Sequence, residues 1–364
     1  MFEEIAAAIE AGDYQKAKSL MAQIALSADN PWCGYYRALI VEKEGDLELA
    51  ESQYRQIIKD NVFCEPKLLK NIRDALERIL QAKRAREEEK KQEFQAIENS
   101  EELAVLILEP VAPEERQNIA QALAKIMKLD TYTARLQIPT RSWRLFKTGS
   151  FGDLSYYQFR LRQKGIPCFC HPVSLVNKLP IYQVAYIEES TENCLLTTVI
   201  KEGEEAEEKL NFLWDKINNI VLGLLPIFEL TTHVDAKGQI QRKISTLDYV
   251  NLCDLHLIQE NVILRLSDNS YEFSRGIQLT EAGKTNQEKW RNLMKYIKEK
   301  TPSAKIWNDF TPFGEGAVNF SEMLKQITSH INIFRREESV WDEAFQLYSG
   351  LIFLQTSSAK RDNI

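Results

Sequence analysis

Residues 38–57 read ALIVEKEGDLELAESQYRQI, and this stretch determines how the beginning of the chain folds. It contains the dipeptide Gly45-Asp46, which also occurs 33 residues earlier as Gly12-Asp13. A glycine permits the tight turn between two helices, because it adopts backbone conformations that other residues avoid. The recurring dipeptide therefore predicts two helical hairpins in succession.

Small side chains flank the second turn at Ala38 and Ala50, and Tyr54 stands where it can pack on the next helix. The pattern resembles the tetratricopeptide repeat, a helical hairpin with a period of about 34 residues. The resemblance covers roughly residues 1–95. It implies one full repeat, a first copy that lacks most of its leading helix, and a long capping helix after Pro66.

In tetratricopeptide proteins the first helix of each repeat lines a groove that binds protein. On this chain the family pattern places five residues in that groove: Trp32, Tyr35, Leu39, Glu42 and Lys43. An aromatic pair beside a lysine suits peptide docking and the capture of an acidic group. The alternative is that Trp32 and Tyr35 pack against the shortened first hairpin.

The chain has 364 residues and a formal net charge of −7, and its length predicts two or three domains. The helical hairpins and the long helix are expected to occupy residues 1–97. A net negative charge excludes general binding to nucleic acids or membrane surfaces by the whole molecule. Because we find neither a secretory signal nor a run long enough to cross a bilayer, we expect six reduced cysteines in a soluble cytoplasmic protein.

Residues 98–178 read as a second domain in which strands and helices alternate. Leu103–Leu108 is an apolar run typical of a buried strand, and helices are expected around Leu123 and Leu161. The whole order is β-α-α-β-α-β. It resembles the C-terminal domain of the ribosomal stalk protein L7/L12 and the related adaptor of the Clp protease. That resemblance implies a fold and no particular activity.

Residues 179–300 form a strand-rich segment, and residues 301–364 add helices that we expect to pack on it. The spacing predicts an amphipathic helix over 210–221, a strand at Tyr271–Phe273 and a closing helix around Trp290. Several antiparallel strands followed by a helix with a tryptophan resemble a pleckstrin-homology-type barrel. With the helical hairpins, these segments predict a multidomain α+β protein.

A basic segment lies between residues 125 and 164. It contains nine basic residues and two aspartates, so its net charge is +7, whereas the whole chain has a net charge of −7. The candidate basic patch comprises Arg135, Arg141, Trp143, Arg144, Lys147, Arg160, Arg162 and Lys164. Such a patch could bind phosphates and stack bases, dock an acidic protein, or contact the chain's own acidic loop near Glu204–Glu208. Alternatively, its aromatic side chains belong to the core and its cations to a solvated face.

Cysteine occurs near histidine twice, in the run from Cys168 to His171 and at Cys253 with His256. In a strand, residues one or three positions apart point to opposite faces. In both places we therefore expect the histidine and cysteine side chains to be too far apart to act together. We also find no P-loop, no dinucleotide glycine fingerprint and no nucleophile elbow in the sequence. We therefore expect no catalytic residue, no metal site and no cofactor.

The sequence thus predicts a non-enzymatic scaffold or assembly adaptor of the bacterial cytoplasm. Its helical hairpins would hold one protein partner, and its basic domain would hold another. The first alternative is a regulator that binds nucleic acid or a nucleotide through Arg135–Lys164. The second alternative is an enzyme without a recognised motif.

Overall fold

The computed structural model describes residues 2–24, 30–61, 65–190, 194–200, 207–234, 240–279 and 284–361. The chain divides into two compact units, Met1–Glu93 and Phe94–Ile364. The first unit is helical, and the second contains the described strands. The fold is therefore mixed α/β, with N-terminal helices and sheet structure towards the C-terminus.

The N-terminal unit is built from helices that follow one another along the chain. They are α1 (Phe2–Glu10), α2 (Tyr14–Ile24), α3 (Pro31–Glu44), α4 (Leu47–Asp60) and α5 (Pro66–Gln95). Asn30 caps the start of α3, since its Oδ1 accepts a hydrogen bond from Trp32 N at 2.9 Å. The first half of α5 buries Leu68, Ile72 and Ile79, whereas its second half is charged and exposed.

The two Gly-Asp dipeptides form the same turn. Gly12 and Gly45 both adopt the left-handed conformation, with φ of +74° and +96°. Asp13 and Asp46 each cap the following helix by accepting a hydrogen bond at 3.0 Å from the backbone N–H three residues later. The two helical hairpins predicted from the repeat are therefore present, with their turns at the predicted positions.

The leading helix of the first hairpin is shorter than that of the second, with nine residues in α1 and fourteen in α3. Ile5 and Ile9 of α1 are buried in one cluster with Ala17 and Met21 of α2 and Ile40 of α3. The expectation that most of this helix would be missing was therefore too strong. Nine residues are enough to bury one face of α1.

A small sheet opens the second unit, and its elements follow the predicted order β-α-α-β-α-β. They are β1 (Leu103–Leu108), α6 (Arg116–Met127), α7 (Thr131–Gln137), β2 (Arg144–Ser150), α8 (Phe151–Gln163) and β3 (Cys168–Pro172). The strands are antiparallel in the order β2-β1-β3, and the short helix α9 (Val173–Asn177) follows.

Both faces of this small sheet are buried, which explains the unbroken apolar run in its central strand. Leu106 and Leu108 of β1 pack with the helices α6–α8. Val105 and Ile107 point to the opposite face and belong to a different cluster. A strand that is covered on both faces has no reason to alternate apolar and polar residues.

A larger sheet follows, and it is mixed rather than antiparallel throughout. Its strands are β4 (Ile181–Ser190), β5 (Cys194–Ile200), β6 (Glu207–Leu213), β7 (Asn219–Val234), β8 (Ile240–Leu257), β9 (Val262–Ser267) and β10 (Lys305–Trp307). Their order is β10-β7-β8-β9-β4-β5-β6, with β10/β7 and β4/β9 parallel. Since no pairing within the described residues joins β6 to β10, the predicted antiparallel barrel is corrected to an open mixed sheet.

Two local predictions in this region were wrong. The helix expected over 210–221 is instead β6 and the start of β7, joined by a 3-10 turn at Trp214–Lys216. Apolar residues on two consecutive strands happened to follow a helical spacing. No strand forms at the expected Tyr271–Phe273, where Tyr271 and Glu272 are irregular and Phe273 begins a turn. There Tyr271 Oη accepts a hydrogen bond from Ile187 N at 3.1 Å, which holds the turn against β4.

Helices cover both faces of the large sheet. On one face lies α10 (Asn286–Lys300), the closing helix predicted around Trp290, which Thr285 and Glu288 cap. On the other lie α11 (Phe310–Ala317), α12 (Ser321–Leu324) and α13 (Trp341–Arg361). The small sheet packs its second face on these same helices. The segments predicted as 98–178, 179–300 and 301–364 therefore all contribute to one hydrophobic cluster of the second unit.

Candidate functional site

The predicted groove residues lie on α3, and two of them hold the helices of the unit together. Tyr35 is 8% exposed and packs on Tyr54 of α4, with ring centroids 5.7 Å apart. Glu42 accepts a hydrogen bond from Tyr54 Oη at 2.9 Å and one from Arg78 Nε of α5 at 3.2 Å. Burial raises the pKa of Tyr35, so this phenol stays neutral. Their contacts are internal to the unit.

Trp32 and Leu39 complete the inner part of this face. The indole Nε1 of Trp32 donates to Glu65 Oε2 at 3.0 Å, and its ring stacks on Tyr36. Tyr36 in turn stacks on Phe2 of α1, with centroids 5.7 Å apart. The aromatic contact with the first hairpin is therefore made by Tyr36, whereas the alternative interpretation expected it of Trp32 and Tyr35, which pack with α4 and α5. Leu39 is half-buried, and Lys43 is exposed.

The opposite face of α3 lines an open cleft of about 380 Å³. Arg37, Ile40, Val41 and Glu44 recur at helical spacing and lie about half a turn away from the face that carries Tyr35. The cleft is lined by Lys18, Met21 and Ala22 of α2, by Arg37, Ile40, Val41 and Glu44 of α3, and by Gln53 of α4. Sequence reasoning missed this cleft because it requires three helices to meet.

The charges around the cleft are unequally matched. Lys18 Nζ lies 2.5 Å from Glu44 Oε1, so these two groups neutralise each other at the rim. Arg37 is exposed, and no carboxylate of the described residues forms an ion pair with it. The floor is apolar, because Met21 and Ile40 are buried with 8% and 2% of their surface exposed. The cleft thus offers an apolar floor beside one unneutralised guanidinium group.

The aromatic residues of the predicted basic patch are partly core residues. Trp143 is buried, with its ring 4.7 Å from Phe169 and 5.0 Å from Trp307 between centroids. Tyr156 is also buried and accepts a hydrogen bond from Arg160 Nη1 at 2.6 Å. Neither ring is available to stack on a base.

Several cations of the patch are engaged with the protein. Arg144 Nη1 donates to Leu136 O at 3.1 Å, and Arg162 Nε donates to Cys168 O at 2.8 Å. Lys147 lies over the ring of Tyr157 at 5.7 Å. Arg135, Arg141 and Lys164 are exposed and come from three different parts of the chain: α7, the loop before β2, and the end of α8.

The acidic loop offered as an internal partner for this patch falls mostly outside the described residues, at 204–206. Glu207 and Glu208 begin β6. Glu207 Oε1 pairs with Arg275 Nη1 at 2.7 Å, which lowers the pKa of the Glu207 carboxyl. Glu207 is therefore paired with Arg275, which lies outside the basic segment.

The run from Cys168 to His171 lies in the strand β3, and its two cysteines are buried. Both thiols face the helices of the small sheet, and burial raises their pKa to about 11 for Cys168 and about 12 for Cys170. Burial, with the nearby Arg162 charge, lowers the pKa of His171 to about 4. No cluster of three or more potential metal ligands occurs among the residues that the structure describes.

A buried polar cluster, which sequence reasoning missed, joins the large sheet to α13. Arg265 of β9 forms a bidentate ion pair with Asp254 of β8, at 2.8 and 2.7 Å. Ser349 Oγ of α13 donates to Asp254 Oδ2 at 2.6 Å. Arg265 also donates to Gln346 Oε1 at 2.9 Å, and His256 contacts Ser349. The five side chains are buried.

The hydrogen bonds of Ser349 assign the protonation of His256. Because Ser349 donates its only proton to Asp254, its Oγ accepts from His256 Nε2 at 2.9 Å. Burial lowers the pKa of His256 to about 4, so the ring is neutral with its proton on Nε2. A histidine that donates to a serine is not acting as its base. The cluster therefore anchors α13 and lacks the geometry of an activated nucleophile.

The pair Cys253 and His256 is separated as the strand alternation predicted. Cys253 packs in the cluster beneath α10, and burial raises its pKa. His256 faces α13 on the other side of the sheet, beside the Phe353 ring. The thiol and the imidazole therefore cannot act together.

The described helices include none that is both long enough and apolar enough to span a bilayer. Comparison of the chain with protein-family models, with curated proteins and with solved structures finds no match.

Proposed function

We propose that this chain is a non-enzymatic interaction protein, a scaffold or assembly adaptor of the bacterial cytoplasm. The observation that carries the proposal is the pair of helical hairpins with identical turns at Gly12 and Gly45. Repeated hairpins of this kind present helix faces to other proteins, and their sequence resembles the tetratricopeptide repeat. The small sheet with its three helices, similar in order to the ribosomal stalk domain, is proposed as a second docking element.

The chemistry-bearing residues of the second unit support the same proposal. Asp254, His256 and Ser349 are buried in a closed hydrogen-bonded cluster. Cys168 and Cys170 are buried thiols whose raised pKa keeps them protonated. Each of these groups contributes to packing, whereas an active site needs them beside a substrate.

Nucleic-acid binding through Arg135–Lys164 is the alternative, and the structure gives it less support. A binding surface for single strands combines free aromatic faces with a continuous line of cations. Trp143 and Tyr156 are core residues, and Arg144 and Arg162 donate to backbone carbonyls. We therefore prefer the protein-interaction function to nucleic-acid binding.

The test is site-specific photo-crosslinking of the full-length chain in the organism that naturally produces it. A photoreactive amino acid is placed at position 37 or 43 in the N-terminal unit, or at position 164 in the second unit. The proposal expects a discrete cross-linked protein from at least one N-terminal position. Cross-links to nucleic acid from position 164, with no protein product from the N-terminal unit, would overturn it.

A further inference from the structure

We infer that the cleft between α2, α3 and α4 binds a peptide segment of a partner protein in which an acidic residue adjoins a bulky aliphatic residue. The inference rests on the proposed interaction function and names the chemistry of one partner. It also places the binding surface on the face of α3 opposite the one that the repeat pattern indicates.

The two faces of α3 differ in what already occupies them. Tyr35 and Glu42 on the predicted face contact Tyr54 and Arg78 within the unit. Trp32 on the same face donates a hydrogen bond to Glu65. The cleft face, in contrast, leaves an open volume of about 380 Å³. Ligand sites usually range from about 300 to 1,000 Å³, so this volume suits a few residues of a peptide and not a whole helix.

The charge of the cleft selects an acidic group. Lys18 and Glu44 neutralise each other, which leaves the Arg37 guanidinium as the excess charge of the lining. Guanidinium binds carboxylate through two parallel hydrogen bonds. This single excess charge balances one carboxylate, whereas a phosphate with about two negative charges would stay partly unpaired. Aspartate or glutamate is therefore favoured over a phosphorylated residue.

The floor of the cleft selects an aliphatic neighbour. Met21, Ile40 and Val41 present apolar surface, and methionine adapts its shape to a partner side chain. An apolar ligand side chain would cover this surface while its acidic neighbour reaches Arg37. Because the apolar floor and Arg37 line the same cleft, two adjacent residues of one peptide can contact both, one aliphatic and the other acidic.

The side of the cleft on α4 favours a ligand that carries hydrogen-bond donors. Gln53 lines the cleft there, and its Oε1 is buried without a hydrogen-bond partner in the part of the chain that the structure describes. An unsatisfied buried acceptor is costly. If this amide rotates towards the cleft, its oxygen can accept a hydrogen bond from a peptide N–H, which an apolar ligand without donors does not offer.

The experiment selects phage-displayed random peptides on the immobilised full-length chain and on two matched variants. Arg37→Glu and Lys43→Glu each reverse one exposed charge on α3, and the two positions lie about 120° apart around the helix. The native chain and Lys43→Glu are expected to enrich the same peptides, with aspartate or glutamate next to leucine, isoleucine or methionine. Arg37→Glu should bind them roughly tenfold to hundredfold more weakly, as expected for loss of a charged hydrogen bond.

Two further measurements distinguish the loss of a specific contact from misfolding of the Arg37→Glu variant. A selected peptide whose acidic residue is changed to lysine should bind Arg37→Glu more tightly than it binds the native chain. Ala22→Trp, at an exposed position in the cleft wall, should block binding without any change of charge. Circular dichroism of each variant is expected to match the native chain.

The outcomes separate this inference from the proposed function. If Lys43→Glu loses the selected peptides and Arg37→Glu keeps them, the cleft inference is overturned, and the interaction function stands on the predicted groove. Enriched peptides without an acidic residue, or with equal affinity for both variants, also overturn the cleft. If the photo-crosslinks at positions 37 and 43 also find no protein, the interaction function itself fails.

Discussion

Arg265 and Asp254 form a bidentate ion pair in which neither side chain is exposed to solvent. A charge buried this deeply is stable only when its partners satisfy it, because removal from water costs several kcal/mol per ion. Here the partners come from distant parts of the chain. Ser349 donates to the carboxylate, and the Ser329 carbonyl accepts from the guanidinium at 2.6 Å. The pair thereby joins β8 and β9 to α13 and to the segment before it.

Removing one member of this pair should destabilise the second unit strongly. We expect Arg265→Met to lower the free energy of unfolding by about 3–5 kcal/mol, because it leaves the Asp254 carboxylate buried without a counter-ion. Adding Asp254→Leu should recover much of that loss, since both charges are then absent. Urea unfolding followed by tryptophan fluorescence measures both variants. A double variant less stable than Arg265→Met would contradict the explanation.

His256 should make stability depend on pH. Burial, and secondarily the balance of the Asp254 and Arg265 charges, gives it a pKa of about 4 in the folded protein, against about 6.5 in an unfolded chain. Between these values the unfolded chain binds a proton that the folded protein does not. Stability is therefore complete above pH of about 6.5 and falls by about 3 kcal/mol as the pH drops to about 4.

The matched variant for this pH effect is His256→Gln, which keeps a donor for Ser349 and does not titrate. We expect its free energy of unfolding, measured in urea at several pH values, to fall less steeply than that of the native chain. His171, whose pKa burial also lowers to about 4, contributes to the slope that remains. Identical slopes for both proteins would show that His256 is accessible to protons in the folded state.

Gly223 of β7 should tolerate no side chain, because it lies against Phe345 of α13. A Cβ atom added there would come within 2.4 Å of the Phe345 ring. We expect Gly223→Ala to lower the midpoint of urea unfolding, at a cost of about 1–3 kcal/mol for overpacking. The control is Gly316→Ala in α11, where no atom lies within 4 Å and alanine favours the helix. Equal midpoints for the two variants would contradict the close approach of β7 and α13.

The parts of the fold that the sequence predicted correctly are those that local contacts determine. The turn at Gly45 and the cap at Asp46 depend on residues only a few positions apart, so their signal lies within one short stretch. The strand at Leu103–Leu108 and its following helices are likewise marked by periodicity and by local capping, as at Asp130. Local physics therefore predicted the helical hairpins and the β-α-α-β-α-β order.

The parts that were missed depend on contacts between distant residues. Leu210, Ile217 and Val221 follow a helical spacing, and only the pairing of β6 with β5 and of β7 with β8 makes them strands. The cleft needs three helices, and the cluster around Asp254 needs Ser349, which lies 95 residues away. A single sequence does not indicate such long-range contacts, because the residue pattern of one segment contains no information about which distant segment it packs against.

Trp143 provides the last test, because the two proposed roles of the basic segment predict opposite results. In the structure its ring packs against Phe169, Trp307 and Tyr348, between the small sheet and α11 and α13. We expect Trp143→Ala to lower the free energy of unfolding by about 3–5 kcal/mol, as for other buried aromatic residues. Arg141→Ala, an exposed neighbour, should change it by less than about 0.5 kcal/mol. If instead Trp143 stacked on bases, the Trp143→Ala variant would keep its stability and lose affinity for single-stranded RNA. Chemical unfolding and fluorescence titration with RNA at low salt, on the same preparations, distinguish the two results. A stable Trp143→Ala protein that no longer binds RNA would remove Trp143 from the core and favour nucleic-acid binding over the scaffold proposal.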